Sequence, residues 1–304
     1  RFTPLLSLLT RQGRYTDAAL ARAASKASLE GFNAFVDRVL GTSHVRGAFF
    51  GNYSEADVRG VYELLSAAVS ASPSAGYARS NIYAPKPATT LLLNREVPVE
   101  DLGMLYAFAA PEASVKNQAL SQILARHLRV RAFETLRTEE QLGYAAGGGA
   151  LDLYKHPMVI LYIQTPVKGP QEMLDRFTAY TDEYRDELAA LPEASFEKFK
   201  AGVLTALTEP PKNLSAEAGP FVSDWAIEHY DYDTRAKLIA AVNAATLQDV
   251  QRFYEETVFS ETSSRIVIQL RGKRYSERPF AKVEGGVVID DIDKFHNEMP
   301  VQGR

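Results

Sequence analysis

The chain has no cysteine among its 304 residues. That absence excludes disulfides, thiolate nucleophiles and cysteine-ligated zinc or iron–sulfur centres together, while leaving the redox compartment open. Histidine is scarce as well. His44, His127, His156, His229 and His296 are the five present, and none has a partner at H-E-x-x-H or H-x-x-E-H spacing. Zinc peptidases use that spacing to bring two imidazoles on one helix face to the ion and a glutamate to its water. An excess of one charge sign is also missing: 34 Lys and Arg against 38 Asp and Glu leave a net charge of -4. With no basic stripe to neutralise phosphates, nucleic acid is not expected as a main partner. The apolar run "PLLSLL" is too short to cross a bilayer, so no membrane span is expected. There is no G-x-S-x-G elbow, and no G-K-S/T follows the triple glycine Gly147 to Gly149. By its own residues the chain offers neither a catalytic residue nor a metal ligand set.

What is present is a globular composition, 46% hydrophobic and 24% charged, in a chain long enough for two domains. "LEGFNAFVDRVL", residues 29 to 40, has helical apolar spacing behind Ser28 as a cap. "VRGAFFGNYSEADVRGVYELLSAAV" predicts a short strand through Phe50, a Gly-Asn turn, and a helix to about Val69 started by a Ser54–Asp57 capping box. "SASPSAGYARSNIYAPKPATT" has no sustained period and is the expected linker, with a boundary near Ala84. Beyond it "TTLLLNREV" and "DLGMLYAFAA" read as strands, followed by a long helix from about Ser114. "LGYAAGGGALDLY" and "HPMVILYIQTPV" form a second strand pair, in which the glycines permit a close backbone approach or a bulge. Pro170 opens a helix that Pro192 stops. Further helices are expected near 196–208, 214–230, 234–243 and 247–258, the last capped by Thr246 and Asp249, before a closing strand "SSRIVIQLRG" and a tail of weak periodicity. The expected fold class is α+β: a mixed, largely antiparallel sheet with helices on one face.

His127 stands alone on its helix face and reads as a packed residue. "IEHYDYD" and "DDIDKFHNE" gather carboxylates and a histidine but lack calcium-loop spacing, and read as loop residues. The start, "RFTPLLSLLTRQG", reads as the tail of an element already under way, which predicts a fragment or a processed chain.

One stretch stands apart: "LRTEEQLGY", Leu136 to Tyr144. It resembles the signature of the C-terminal halves of the insulin-degrading enzyme and pitrilysin family of inverted H-x-x-E-H zinc peptidases. Residues 209–256, from "EPPKNLSAEAG" to "VQRFYEE", and residues 45–65 are similar to further segments of the same family. The resemblance implies that residues 1–84 are the C-terminal part of a third family domain and 85–304 a complete, non-catalytic fourth. It implies substrate-binding roles for Arg137 and Tyr144, which match the arginine and tyrosine that reach into the family's active site. Glu139 and Glu140 read as solvated loop charges. No cofactor is expected in this chain; zinc is expected in the N-terminal catalytic half, which is the implied partner on the same or a separate chain, with unfolded peptides as substrates. The alternative is a catalytically inactive, peptidase-like subunit with a structural or peptide-binding role. The family includes periplasmic bacterial enzymes. "AAGGGALDLYK", after Tyr144, is richer in glycine than the family pattern.

Overall fold

Two apolar runs, Thr90–Glu96 (β1) and Leu102–Ala109 (β2), are strands, and all of β2 is buried. A strand that is apolar on both sides needs cover on both sides. The computed structural model, which describes residues 2–42, 45–69, 86–153 and 156–298, provides it. Among these residues β1 and β2 join β3 (Ala145–Leu153), β4 (His156–Thr165), β5 (Ser264–Arg271) and β6 (Val287–Val288) in one sheet of order β3-β4-β2-β5-β1-β6. The β3–β4, β4–β2 and β2–β5 pairings are antiparallel, and β1 is parallel to both β5 and β6. The mixed, largely antiparallel α+β architecture is the one expected from the sequence.

Alternate residues of β2 enter opposite cores, as the two-residue strand period requires. Met104, Tyr106 and Phe108 pack with helices α5 (Val115–Ala132), α6 (Pro170–Ala189), α7 (Glu193–Thr208), α9 (Thr234–Ala244) and α10 (Leu247–Val258). Leu105, Ala107 and Ala109 join a smaller core on the other face with Leu6, Leu8 and Leu9 of α1 (Phe2–Thr10) and Ile292 and Phe295 of α11 (Ile292–Glu298). The main helical layer follows the expectation, and the second cover, together with β6, is an addition from segments with weak periodicity.

Chain contacts define two units: residues 1–10, 82–209 and 233–304, which hold the sheet, and residues 11–81 with 210–232. The linker expected near Ala84 falls outside the described residues. The second unit contains α2 (Asp17–Ala24), α3 (Leu29–Thr42), α4 (Glu55–Ala68) and α8 (Leu214–Ala226). Ser28 caps α3 through the Gly31 N–H, and the Ser54–Asp57 capping box opens α4. Residues 45–50 form no strand, contrary to the sequence expectation, because no described strand in that unit pairs with them. Their aromatics do other work: Phe50 stacks on Phe221 with ring centroids 5.4 Å apart. Arg46 lies over the Trp225 ring and binds Glu228 at 2.7 Å.

The triple glycine makes close approaches on both faces of β3. A Cβ on Gly148 would sit 2.8 Å from Leu128 Cγ of α5, and one on Gly147 would sit 2.9 Å from the Tyr162 hydroxyl, whereas Gly149 faces open space. Gly148→Ala is therefore expected to lose about 1–3 kcal/mol by overpacking α5 against β3, while Gly149→Ala stays within about 0.5 kcal/mol of the parent. Urea denaturation of the two variants side by side checks this.

Candidate functional site

Ser114 caps α5, its hydroxyl accepting from the Asn117 N–H at 3.1 Å. The helix does not end in an ordinary α turn. From Phe133 to Glu139 it continues as a π-helix, with the Glu140 N–H donating to the Thr135 carbonyl at 2.9 Å. Such wider turns cost hydrogen-bond geometry and persist where surroundings hold them. Leu136 and Leu142, both buried, anchor the two sides of the turn, and Gln141 adopts a left-handed φ of 53° between them. Gly143 then passes so close to β4 that a Cβ there would lie 2.0 Å from the Gln164 carbonyl oxygen.

This geometry stacks three side chains. The guanidinium carbon of Arg137 lies 4.5 Å from the Phe133 ring centroid and 4.6 Å from the Tyr144 ring centroid. Aromatic faces attract a guanidinium and fix its plane, leaving the in-plane N–H donors for acceptors. Tyr144 is 86% exposed. Together the two residues line an open cavity of about 420 Å³, whose other walls include Gln141, Asp101, Gln164 and Pro166. Across it the Gln164 amide donates to Asp101 at 2.9 Å. Among the described residues Arg137 has no ion-pair partner, so its charge is available to a ligand.

Two arginine forks hold the segment in place. Arg131 grips Glu187 of α6 through Nε at 2.8 Å and Nη2 at 2.9 Å, and Arg176 of α6 grips Glu140 through Nε at 3.0 and 2.9 Å. The reading of Glu140 as a solvated loop charge is therefore corrected: it closes the π-helix onto α6. The Arg131 hydrogen bond holds the Glu187 carboxyl below its ordinary range. Neither Phe133 nor Arg176 was singled out from the sequence. Arg176 lies 36 residues from Glu140, so no local spacing could pair them, although Phe133 at i–4 from Arg137 was a visible hint.

Three of the histidines have partners away from this cavity. His127 Nδ1 is 3.0 Å from the Tyr184 hydroxyl, with Phe199 edge-on to its ring. His156 and His296 lie 2.6 and 2.8 Å from the carbonyls of Ala110 and Leu8. His44 falls outside the described residues.

Known proteins share parts of this sequence and its fold. A family model described as "PQQ synthase PqqF-like, C-terminal lobe domain 4" matches residues 123–222. The A-factor-processing enzyme of Saccharomyces cerevisiae is 27% identical over 60% of this chain, and insulin-degrading enzyme of Mus musculus is 23% identical over 86% of it. The crystal structure of pitrilysin superposes with a TM-score of 0.90 over 99% of the chain at 19% identity. The chain is similar to peptidases of the insulinase and pitrilysin family. It spans only part of these relatives, 18% of the yeast enzyme, 26% of the mouse enzyme and 32% of the pitrilysin chain.

Burial holds the His127 pKa below its ordinary 6.5. The unfolded chain therefore takes up this proton first as pH falls, so the stability carried by neutral His127 is full above pH 6.5 and declines below it. Urea midpoints measured downward from neutral pH should show that decline, and His127→Gln should reduce it.

Proposed function

We propose that this chain is the non-catalytic C-terminal half of a zinc metalloendopeptidase, which encloses peptides and positions them for hydrolysis at zinc held by an N-terminal half. The observation that carries the reading is the Arg137 guanidinium, stacked between Phe133 and Tyr144 and facing an open cavity with no carboxylate partner. A guanidinium fixed in this way offers paired N–H donors to a peptide carbonyl, and the exposed Tyr144 hydroxyl can donate to an oxygen that gains charge in a tetrahedral intermediate. Neither step needs this chain to break the bond. Arg137 binds and orients, and Tyr144 both orients and walls the guanidinium. The aromatic faces remove two of the directions from which water would otherwise solvate the charge, so a peptide carbonyl competes better for its edge.

The second unit supports a partner half. Leu29, Phe32 and Phe35 of α3 and Leu64 of α4 are 76, 60, 52 and 75% exposed. Such apolar helix faces need cover. Residues 1–84 read as the end of a third family domain and 85–304 as the fourth, with the remainder of the third domain as the natural cover.

The test is reconstitution. Cleavage of a fluorogenic peptide is measured with this chain alone, with the N-terminal half alone, and with both in the presence of zinc. Activity should appear on mixing, and Arg137→Ala should lower kcat/KM by about 10²-fold, the usual cost of one transition-state donor. Tyr144→Phe should fall in the same direction. A mixture in which the halves associate but remain silent would instead make the chain a structural, peptidase-like subunit.

A further inference from the structure

A second cavity, of about 540 Å³, opens between α5, α7 and the end of β3. It lies on the same helix and strand as the Arg137 cavity but at their far ends: Arg126 is 11 residues before Arg137, roughly 16 Å along a helix. Its floor is apolar, from Ala125, Leu151, Phe199, Val203 and Leu207. Its rim carries Arg126 and Arg129, one helical turn apart on α5, and Lys198 on α7. None of the three has an ion-pair partner or a side-chain hydrogen bond among the described residues. The contrast with Arg131 and Arg176 is sharp, since those neighbours are saturated by carboxylates.

Arg126 is also given a seat. Gly202 is an interior residue of α7, where glycine weakens a helix relative to alanine. A Cβ at Gly202 would lie 2.9 Å from Arg126 Nη1 and 3.3 Å from its Cζ. The missing methyl leaves room for the guanidinium against α7 at the groove edge. A notch that costs helix stability and holds an uncompensated cation is a binding arrangement, because a purely solvated arginine needs no seat.

We propose that this groove binds acidic peptide segments, in which an apolar side chain enters the floor while flanking carboxylates meet Arg126, Arg129 and Lys198. Asp152 lines the β3 end of the groove outside ion-pair reach of the three cations. It fixes the polarity: the ligand's acidic residues lie on the α5–α7 side and are repelled from β3. The apolar floor selects a peptide over a bare phosphate, and the short rim lacks the length of a backbone track for nucleic acid. The inference goes beyond the role proposed for Arg137 and stands if that role fails.

The test uses the 304-residue chain and fluorescence anisotropy with two labelled peptides, one alternating Asp and Glu with Leu and Phe, the other carrying Asn and Gln in place of the acids. The acidic peptide should bind more tightly and weaken as salt is raised. The double variant Arg126→Ala/Lys198→Ala should lower its affinity by about tenfold, the sum expected of a few partly exposed charge pairs. Gly202→Ala keeps every charge but evicts Arg126 from its seat, so it should weaken binding several-fold at an unchanged or raised Tm. Equal affinity for the two peptides, or parent-like binding by both groove variants, would overturn the proposal. So would displacement of the peptide by inorganic phosphate or a single-stranded oligonucleotide at lower concentration than unlabelled acidic peptide.

Discussion

The constraint on which the candidate site depends is the widening of α5 into a π-helix and its clamping to α6. A π turn left to itself relaxes to α, because the wider ring gives poorer hydrogen bonds and thinner packing along the axis. Here Arg131–Glu187 lies before the turn and Arg176–Glu140 just after it. Both are forked pairs, whose planarity restricts rotation as well as distance. Leu136 on the inner side and Leu142 beyond Gln141 are buried in the same core. The extra residue in the turn is what sets Arg137 over Phe133 and beneath Tyr144.

That division of labour separates charges that build from charges that bind. Arg131 and Arg176 are saturated by carboxylates and act as brackets. Arg137 is stacked on hydrocarbon faces, which orient it without neutralising it, and Arg126 lies across a helical notch without a counterion. All four belong to one pair of packed helices and differ only in what surrounds them. Residue type alone would not have distinguished them.

Much of the fold was legible because it is local. The capping boxes at Ser54–Asp57 and Thr246–Asp249, Pro170 at a helix start and the apolar runs of β1 and β2 all carry their meaning within a few residues. The features that escaped depend on distant partners. "VRGAFF" has strand chemistry but no strand beside it, while β6 is two residues long and exists because Leu91 and Leu92 of β1 lie opposite. Helices α1 and α11 carry too few turns for a clear period and are ordered by the sheet face they cover. At the candidate site, Arg137 and Tyr144 were singled out through a signature that resembles a family's. Phe133, Glu140 and Arg176 were not, because the π-helix that unites them looks like any other helix in one dimension.

The order of the sheet has a consequence for how the chain comes to be folded. Strand β5, from residue 264, lies between β2 and β1, and β1 has β5 and β6 as its two neighbours. Until some 170 residues after β1 have been synthesised, as the register Thr90–Arg265 requires, its three consecutive leucines have no strand beside them. Long-range pairing of this kind is slow, and an exposed apolar strand is a template for association with other chains. Assembly of the centre of the sheet is therefore a late event during biogenesis, and chaperone dependence should concentrate in the interval before β5 emerges.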